Sequence, residues 1–197
     1  GAVFLFLGGD IASRTTDDAE VELTGGVRDY LGLSMCAGGD TDGDGTVDLL
    51  LGSLVRGARL VLGGALASGA VDDRAVASVV ETGNSTLLGT AVAGNGDVNG
   101  DGLADFLVGA TNASRAGVNG TGEAFLFLSP VVGVELASER ADGRLYGEGY
   151  NEYVGLYLSL AHDLDGDGFA DPVVGASGYV FDDTSRYAAF VFRGGVD

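Results

Sequence analysis

The sequence predicts an all-β protein made of propeller blades, each of four antiparallel strands, with about three repeats in a partial or open propeller. Three observations predict it. A nine-residue aspartate-rich motif occurs three times, the same strand-like runs surround every copy, and the 197 residues hold 36 glycines against 2 prolines. Glycine at that level serves tight turns between short strands. With 46% hydrophobic residues the chain buries a core of ordinary size despite a formal net charge of −19.

The motif reads DTDGDGTVD at 40–48, DVNGDGLAD at 97–105 and DLDGDGFAD at 163–171, with starts separated by 57 and then 66 residues. Repeats at such intervals mark a fold of stacked units. Eight positions before each first aspartate stands a glycine, Gly32, Gly89 or Gly155, preceded by Leu31, Leu88 or Val154. Each loop runs into an apolar stretch closed by glycine and a small residue: DLLLGS, DFLVGA, DPVVGA. A further strand-like run follows as GARLVLGG at 57, GEAFLFLS at 122 and YAAFVFRG at 187, and GAVFLFLGG at the start of the chain belongs to this last class. Four strands in a unit of about 60 residues are the mark of a propeller blade.

These boundaries divide a single propeller-like domain, 1–197, into four parts. Residues 1–25 supply the last two strands of a preceding blade, 26–82 and 83–147 are complete blades with the first and second loops, and 148–197 is an incomplete blade with the third. The strand count is thirteen. Gly1 in place of an initiator Met, without a signal-peptide layout, predicts a longer precursor. A three-blade ring is too tight to close, and a C-terminal unit without its fourth strand leaves an open edge. Residues 1–25 are therefore expected to lie against another chain or a missing part of the precursor. Phe4, Phe6, Phe125, Phe127, Phe190 and Phe192 are expected to pack between blades.

Within each motif positions 1, 3, 5 and 9 carry oxygen side chains: Asp40, Asp42, Asp44 and Asp48; Asp97, Asn99, Asp101 and Asp105; Asp163, Asp165, Asp167 and Asp171. Position 6 is Gly45, Gly102 or Gly168, which a loop turning sharply round an ion requires. Position 7 varies among Thr46, Leu103 and Phe169, as expected of a ligand that offers its backbone carbonyl. Hard oxygen donors without sulfur or imidazole select Ca²⁺, so three calcium sites are predicted.

The loops together with their flanking glycines resemble the FG-GAP repeat of integrin α-chain propellers and many secreted bacterial proteins. That pattern runs from Phe-Gly through a calcium loop to Gly-Ala-Pro. Here Leu or Val replaces the Phe, and Ser53, Thr111 or Ser177 stands near the Pro position. The resemblance implies an extracellular or cell-surface calcium-binding module used in adhesion or assembly. Its partners would be other protein chains, including copies of itself meeting at exposed blade edges, with carbohydrate as a second ligand class. A subunit of an extracellular filament or sheath is the alternative reading, and a carbohydrate-binding or polysaccharide-lyase propeller the second.

Charge and energetics agree with that setting. The loop aspartates carry −11 of the −19, and three Ca²⁺ would bring the formal charge to −13. Extracellular calcium modules bind at roughly 10⁻⁴ to 10⁻³ M, so about 1 mM free calcium stabilises each site by about 0.4 to 1.4 kcal/mol. Cytosolic calcium would leave such sites empty. Asn84, Asn112 and Asn119 open Asn-x-Ser/Thr sequons and are candidate glycosylation sites. Acidity argues against nucleic acid, and no apolar run is long enough to span a membrane.

No catalytic residue is assigned, and the protein is read as a non-enzyme. His162, the one histidine, adjoins the third loop. Cys36 cannot form an internal disulfide and reads as a buried inert thiol. A lyase would need a basic residue in a cleft, and nothing distinguishes Arg14, Arg115 or Arg144 for that role.

Overall fold

The structure, a computed structural model, describes residues 1–8, 14–81, 86–160, 162–181 and 184–195. Its strands in chain order are β1 (Ala2–Leu5), β2 (Val21–Thr24), β3 (Ser34–Gly39), β4 (Asp48–Ser53), β5 (Gly57–Val61), β6 (Gly69–Ala70) and β7 (Ala77–Val80). Next come β8 (Leu88–Gly96), β9 (Asp105–Ala110), β10 (Glu123–Phe127), β11 (Gly133–Leu136), β12 (Gly143–Tyr146), β13 (Tyr157–Ser159), β14 (Val173–Phe181) and β15 (Thr184–Val191). Two single-turn helices, α1 (Val71–Arg74) and α2 (Ala137–Arg140), follow β6 and β11.

The described residues form four sheets, in the orders β1-β2-β6, β3-β4-β5-β7-β11, β8-β9-β10-β12 and β13-β14-β15, and none of these closes on itself. The fold is all-β and has the form of an open or partial propeller. The strands that belong to one blade pair antiparallel with their neighbours. The first strands of neighbouring blades, β3, β8 and β13, lie side by side.

Among the described residues there are fifteen strands, two more than the thirteen expected. After its third strand the chain crosses back to the preceding blade, and β6 pairs parallel with β2 and β11 with β7. It then turns through α1 or α2 and returns as the fourth strand of its own blade. The sequence hides both pieces, since Gly-Ala and Gly-Val-Glu-Leu are too short and too mixed to show a period of two.

Residues 1–5 and 21–24 pack on their own chain; the expectation set residues 1–25 against another chain or a missing part of the precursor. Val3 and Leu23 are buried with Leu31, Leu51, Val61 and Val71, so the crossover of the first full blade covers them. A second core joins the two full blades through Leu50, Leu60 and Val79 on one side and Phe106, Phe125, Phe127 and Val131 on the other. Phe106 and Phe127 stack at 5.2 Å. Of the six phenylalanines expected between blades, Phe125 and Phe127 are fully buried, whereas Phe6 is 40% and Phe192 39% exposed.

The repeated glycines mark where blades approach most closely. A Cβ on Gly52 would lie 2.3 Å from the carbonyl oxygen of Gly89, and one on Gly109 would lie 2.2 Å from that of Gly155. The glycine closing one blade's second strand thus abuts the glycine opening the next blade. Any side chain there forces the blades apart.

Candidate metal centres

Each aspartate-rich loop joins the first and second strands of its blade: β3 to β4, β8 to β9, β13 to β14. One hydrogen-bond scheme builds all three. The position-1 carboxylate accepts the amides of positions 4 and 6: Asp40 from Gly43 and Gly45 at 2.7 and 2.9 Å, Asp97 from Gly100 and Gly102 at 2.6 and 2.9 Å, Asp163 from Gly166 and Gly168 at 2.6 and 2.7 Å. Position 3 accepts the amide of position 5, through Asp42, Asn99 and Asp165. Position 5 accepts the amide of position 7, Asp44 from Thr46, Asp101 from Leu103 and Asp167 from Phe169. Short acidic side chains that capture amides two to five residues onward turn the chain back on itself. The amides of Gly168 and its neighbours hold Asp163 below the usual carboxylate range, and the Thr46 hydroxyl and amide do the same for Asp44.

The ninth position has a structural task that spacing alone does not reveal. Asp48, Asp105 and Asp171 are buried, at 0%, 0% and 2% exposure. One oxygen of each accepts the position-2 amide, of Thr41 at 2.9 Å, Val98 at 2.8 Å and Leu164 at 2.7 Å. The other oxygen accepts an amide beyond the blade's third strand, of Gly63 at 2.9 Å, Ser129 at 2.9 Å and Gly194 at 3.0 Å. This aspartate therefore staples its loop to the third strand. Burial pushes the Asp105 carboxyl up to about 6, the amides of Ser129 and Val98 oppose that, and the charges of Asp101 and Asp97 add to it.

Carboxylate oxygens of Asp40, Asp42 and Asp48 lie within 4.8 Å of one another, as do those of Asp163, Asp165 and Asp171. Each cluster could hold a metal ion, and oxygen-only donors suit a hard divalent cation. Asp44 and Asp167 stand outside these clusters, turned to the amides of Thr46 and Phe169. In the second loop Asn99 presents its amide oxygen where Asp42 and Asp165 present carboxylates, and its Nδ2 donates to Asp101 at 2.9 Å.

Adjacent loops touch. The Ala104 amide donates to the Asp40 carbonyl at 2.8 Å, and the Ala170 amide to the Asp97 carbonyl at 2.8 Å. The position-7 side chains also reach across: a Cβ on Gly43 would lie 3.4 Å from Leu103 Cδ2, and one on Gly100 only 2.5 Å from Phe169 Cε1. The variability of position 7 thus conceals a packing role, and the glycine at position 4 makes room for it.

The remaining candidates lie apart from the loops. Asn84 falls outside the described residues, Asn112 is half-buried, and Asn119 is exposed on the β9–β10 connection. His162 is exposed, and its carbonyl accepts the Asp171 amide. Cys36 is half-buried on β3, and burial pushes its thiol up to about 11. Arg14 pairs with Glu20 at 3.0 Å, Arg115 stacks on Tyr146 at 3.2 Å, and Arg144 lies 3.9 Å from Glu123. Burial raises the Glu123 carboxyl, against the pull of Arg144 and Arg115.

Residues 89–127, which run from the opening glycine of the second blade through its loop to β10, match the FG-GAP repeat family. Integrin alpha pat-2 of Caenorhabditis elegans is 38% identical over 89 residues, 45% of this chain and 7% of that protein. Integrin alpha-4 of Xenopus laevis is 27% identical over 153 residues, 75% of this chain and 14% of that protein. The chain therefore corresponds to a small part of these relatives. No helix among the described residues is long and apolar enough to cross a membrane.

Proposed function

We propose, from the FG-GAP repeat at residues 89–127 and the kinship with integrin α chains, that this chain is an extracellular, non-enzymatic calcium-binding module used in adhesion or assembly. The observation that carries the reading is the common scheme of three loops, two of them with converging carboxylates. Three Ca²⁺ ions are assigned, to Asp40, Asp42, Asp44, Thr46 and Asp48; to Asp97, Asn99, Asp101, Leu103 and Asp105; and to Asp163, Asp165, Asp167, Phe169 and Asp171. Thr46, Leu103 and Phe169 contribute backbone carbonyls. Calcium neutralises carboxylates that otherwise repel one another, and so fixes the strip of loops along one end of the blades.

The chemistry is positional. Asp48, Asp105 and Asp171 tie each loop to a third strand, so an ion in the loop braces the whole blade. A braced blade presents its surfaces to protein partners without ordering them anew at each encounter. Glycosylation is assigned to Asn119, the exposed sequon on a loop.

Isothermal titration of Ca²⁺ into chelator-treated protein tests this directly. Binding to three sites at roughly 0.1 to 1 mM is expected; no binding up to 10 mM would remove the reading. Electron microscopy with and without calcium separates its two forms, since discrete particles support adhesion and open polymers a filament subunit.

A further inference from the structure

We infer, resting on the calcium reading above, that Arg193 sets the calcium affinity of the third loop. Its guanidinium competes with the ion for the Asp165 carboxylate, so this loop fills at higher calcium than the first, whose aspartates are the same.

The end of each third strand meets the loop of its own blade. One amide there donates to the ninth-position aspartate: Gly63 to Asp48, Ser129 to Asp105, Gly194 to Asp171. The residue just before that amide is Leu62, Leu128 or Arg193. Leu62 and Leu128 are half-buried, the latter against the core that holds Val98 and Leu107. Arg193 is exposed instead, and its Nε lies 3.1 Å from Oδ2 of Asp165. Its backbone is held in place from both sides. The Phe192 amide donates to the Pro172 carbonyl at 2.9 Å, and the Gly195 amide to the Val98 carbonyl of the second loop at 2.8 Å.

Asp165 belongs with Asp163 and Asp171 to a cluster that could hold a metal ion. Its Oδ1 accepts the Asp167 amide at 3.2 Å and its Oδ2 faces Arg193, so both oxygens are engaged. Asp42, at the same place in the first loop, accepts the Asp44 amide in the same way. Among the described residues no cation pairs with it. Both loops carry aspartate at positions 1, 3, 5 and 9, so the difference in charge between the two sites is the guanidinium. A dication that ligates Asp165 must take the oxygen Arg193 now faces, and the fixed positive charge beside it repels the ion. The Arg193 side chain is 82% exposed, so water and salt screen that repulsion to about threefold in affinity at physiological ionic strength.

Calcium titration of the full chain, followed at the amide resonances of Gly45, Gly102 and Gly168, reads the three loops separately. Arg193→Gln should tighten calcium at the third loop about threefold and leave the other two unchanged. Arg193→Lys, which keeps the charge, should bind as the parent does. The gain from Arg193→Gln should shrink in about 1 M salt, where the Debye length falls to about 3 Å. The inference is overturned if Arg193→Gln leaves the third loop unchanged, if all three loops tighten alike, if Arg193→Lys tightens the third as much, or if the gain is indifferent to salt. No response at Gly168 in parent or variant up to about 10 mM calcium would overturn the calcium assignment itself, and the inference with it.

Discussion

The amide of Ala170 donates to the carbonyl of Asp97 at 2.8 Å, so the third loop rests on the first proposed ligand residue of the second. Ala104 bonds Asp40 in the same way. The loops form a connected strip, so an ion bound in one would stiffen the backbone on which the next depends.

Chelation should therefore lower the melting temperature through all three loops together. Three sites at about 0.4 to 1.4 kcal/mol each amount to roughly 1 to 4 kcal/mol in 1 mM calcium. For a chain of this size that is a fall of roughly 3 to 15 °C in EGTA, read by calorimetry. Identical melts with and without calcium contradict it.

Phe169 and Gly100 give a test of loop-to-loop packing that needs no calcium. Gly100 and Gly166 share a left-handed backbone, at φ 78° and 85°, so alanine strains both alike. A Cβ on Gly166 meets nothing within 4 Å, whereas one on Gly100 strikes the Phe169 ring. Gly100→Ala should cost about 1 kcal/mol more than Gly166→Ala in urea unfolding. Combining Gly100→Ala with Phe169→Ala should abolish the excess; an excess that persists excludes the ring as its source.

Buried Asp105 should matter even without metal. Asp105→Ala leaves the amides of Ser129 and Val98 without their acceptor, at about 1 to 3 kcal/mol for each buried group. In EGTA it should destabilise the fold by at least about 2 kcal/mol, while Asp42→Ala, which frees one exposed amide, costs below about 1 kcal/mol. Equal losses in EGTA would mean the staple contributes nothing of its own.

How much of this was legible follows from which residues repeat. The loops, their glycines and thirteen strands recur in register, so a single chain displays them. The crossovers do not, because β6 and β11 draw their stability from a neighbouring blade's edge and carry no pattern of their own. The stapling role of Asp48, Asp105 and Asp171 was hidden for a related reason. Its partners Gly63, Ser129 and Gly194 follow at 15, 24 and 23 residues, past connections of unequal length.

Cys36 should resist alkylation in the folded chain. Burial lifts its thiol from the ordinary 9.0 to about 11, so at pH 8 the thiolate fraction falls roughly 100-fold relative to the unfolded protein. Iodoacetamide labelling at pH 8 should slow by about that factor and recover in urea. Equal rates in both states would mean that the thiol is open to solvent.

Asn99 makes the second loop the test of the calcium assignment, because one substitution there should act with opposite sign in the two states. Asn99 Nδ2 donates to Asp101 Oδ2 at 2.9 Å, a bond that Asn99→Asp replaces with repulsion between two carboxylates. Without an ion the variant should be less stable than the parent, by a few tenths of a kcal/mol at this exposed site. With calcium the added charge faces the cation instead, at about 1 kcal/mol for a pair of charges 4 Å apart in water. The second site should then bind about fivefold tighter, and its ion, the first to be displaced from the parent, should leave with the others. Calorimetric melts of parent and variant in EGTA and in 5 mM calcium would show the curves crossing. A variant shifted in the same direction under both conditions would separate Asn99 from the ion and overturn the assignment of that loop.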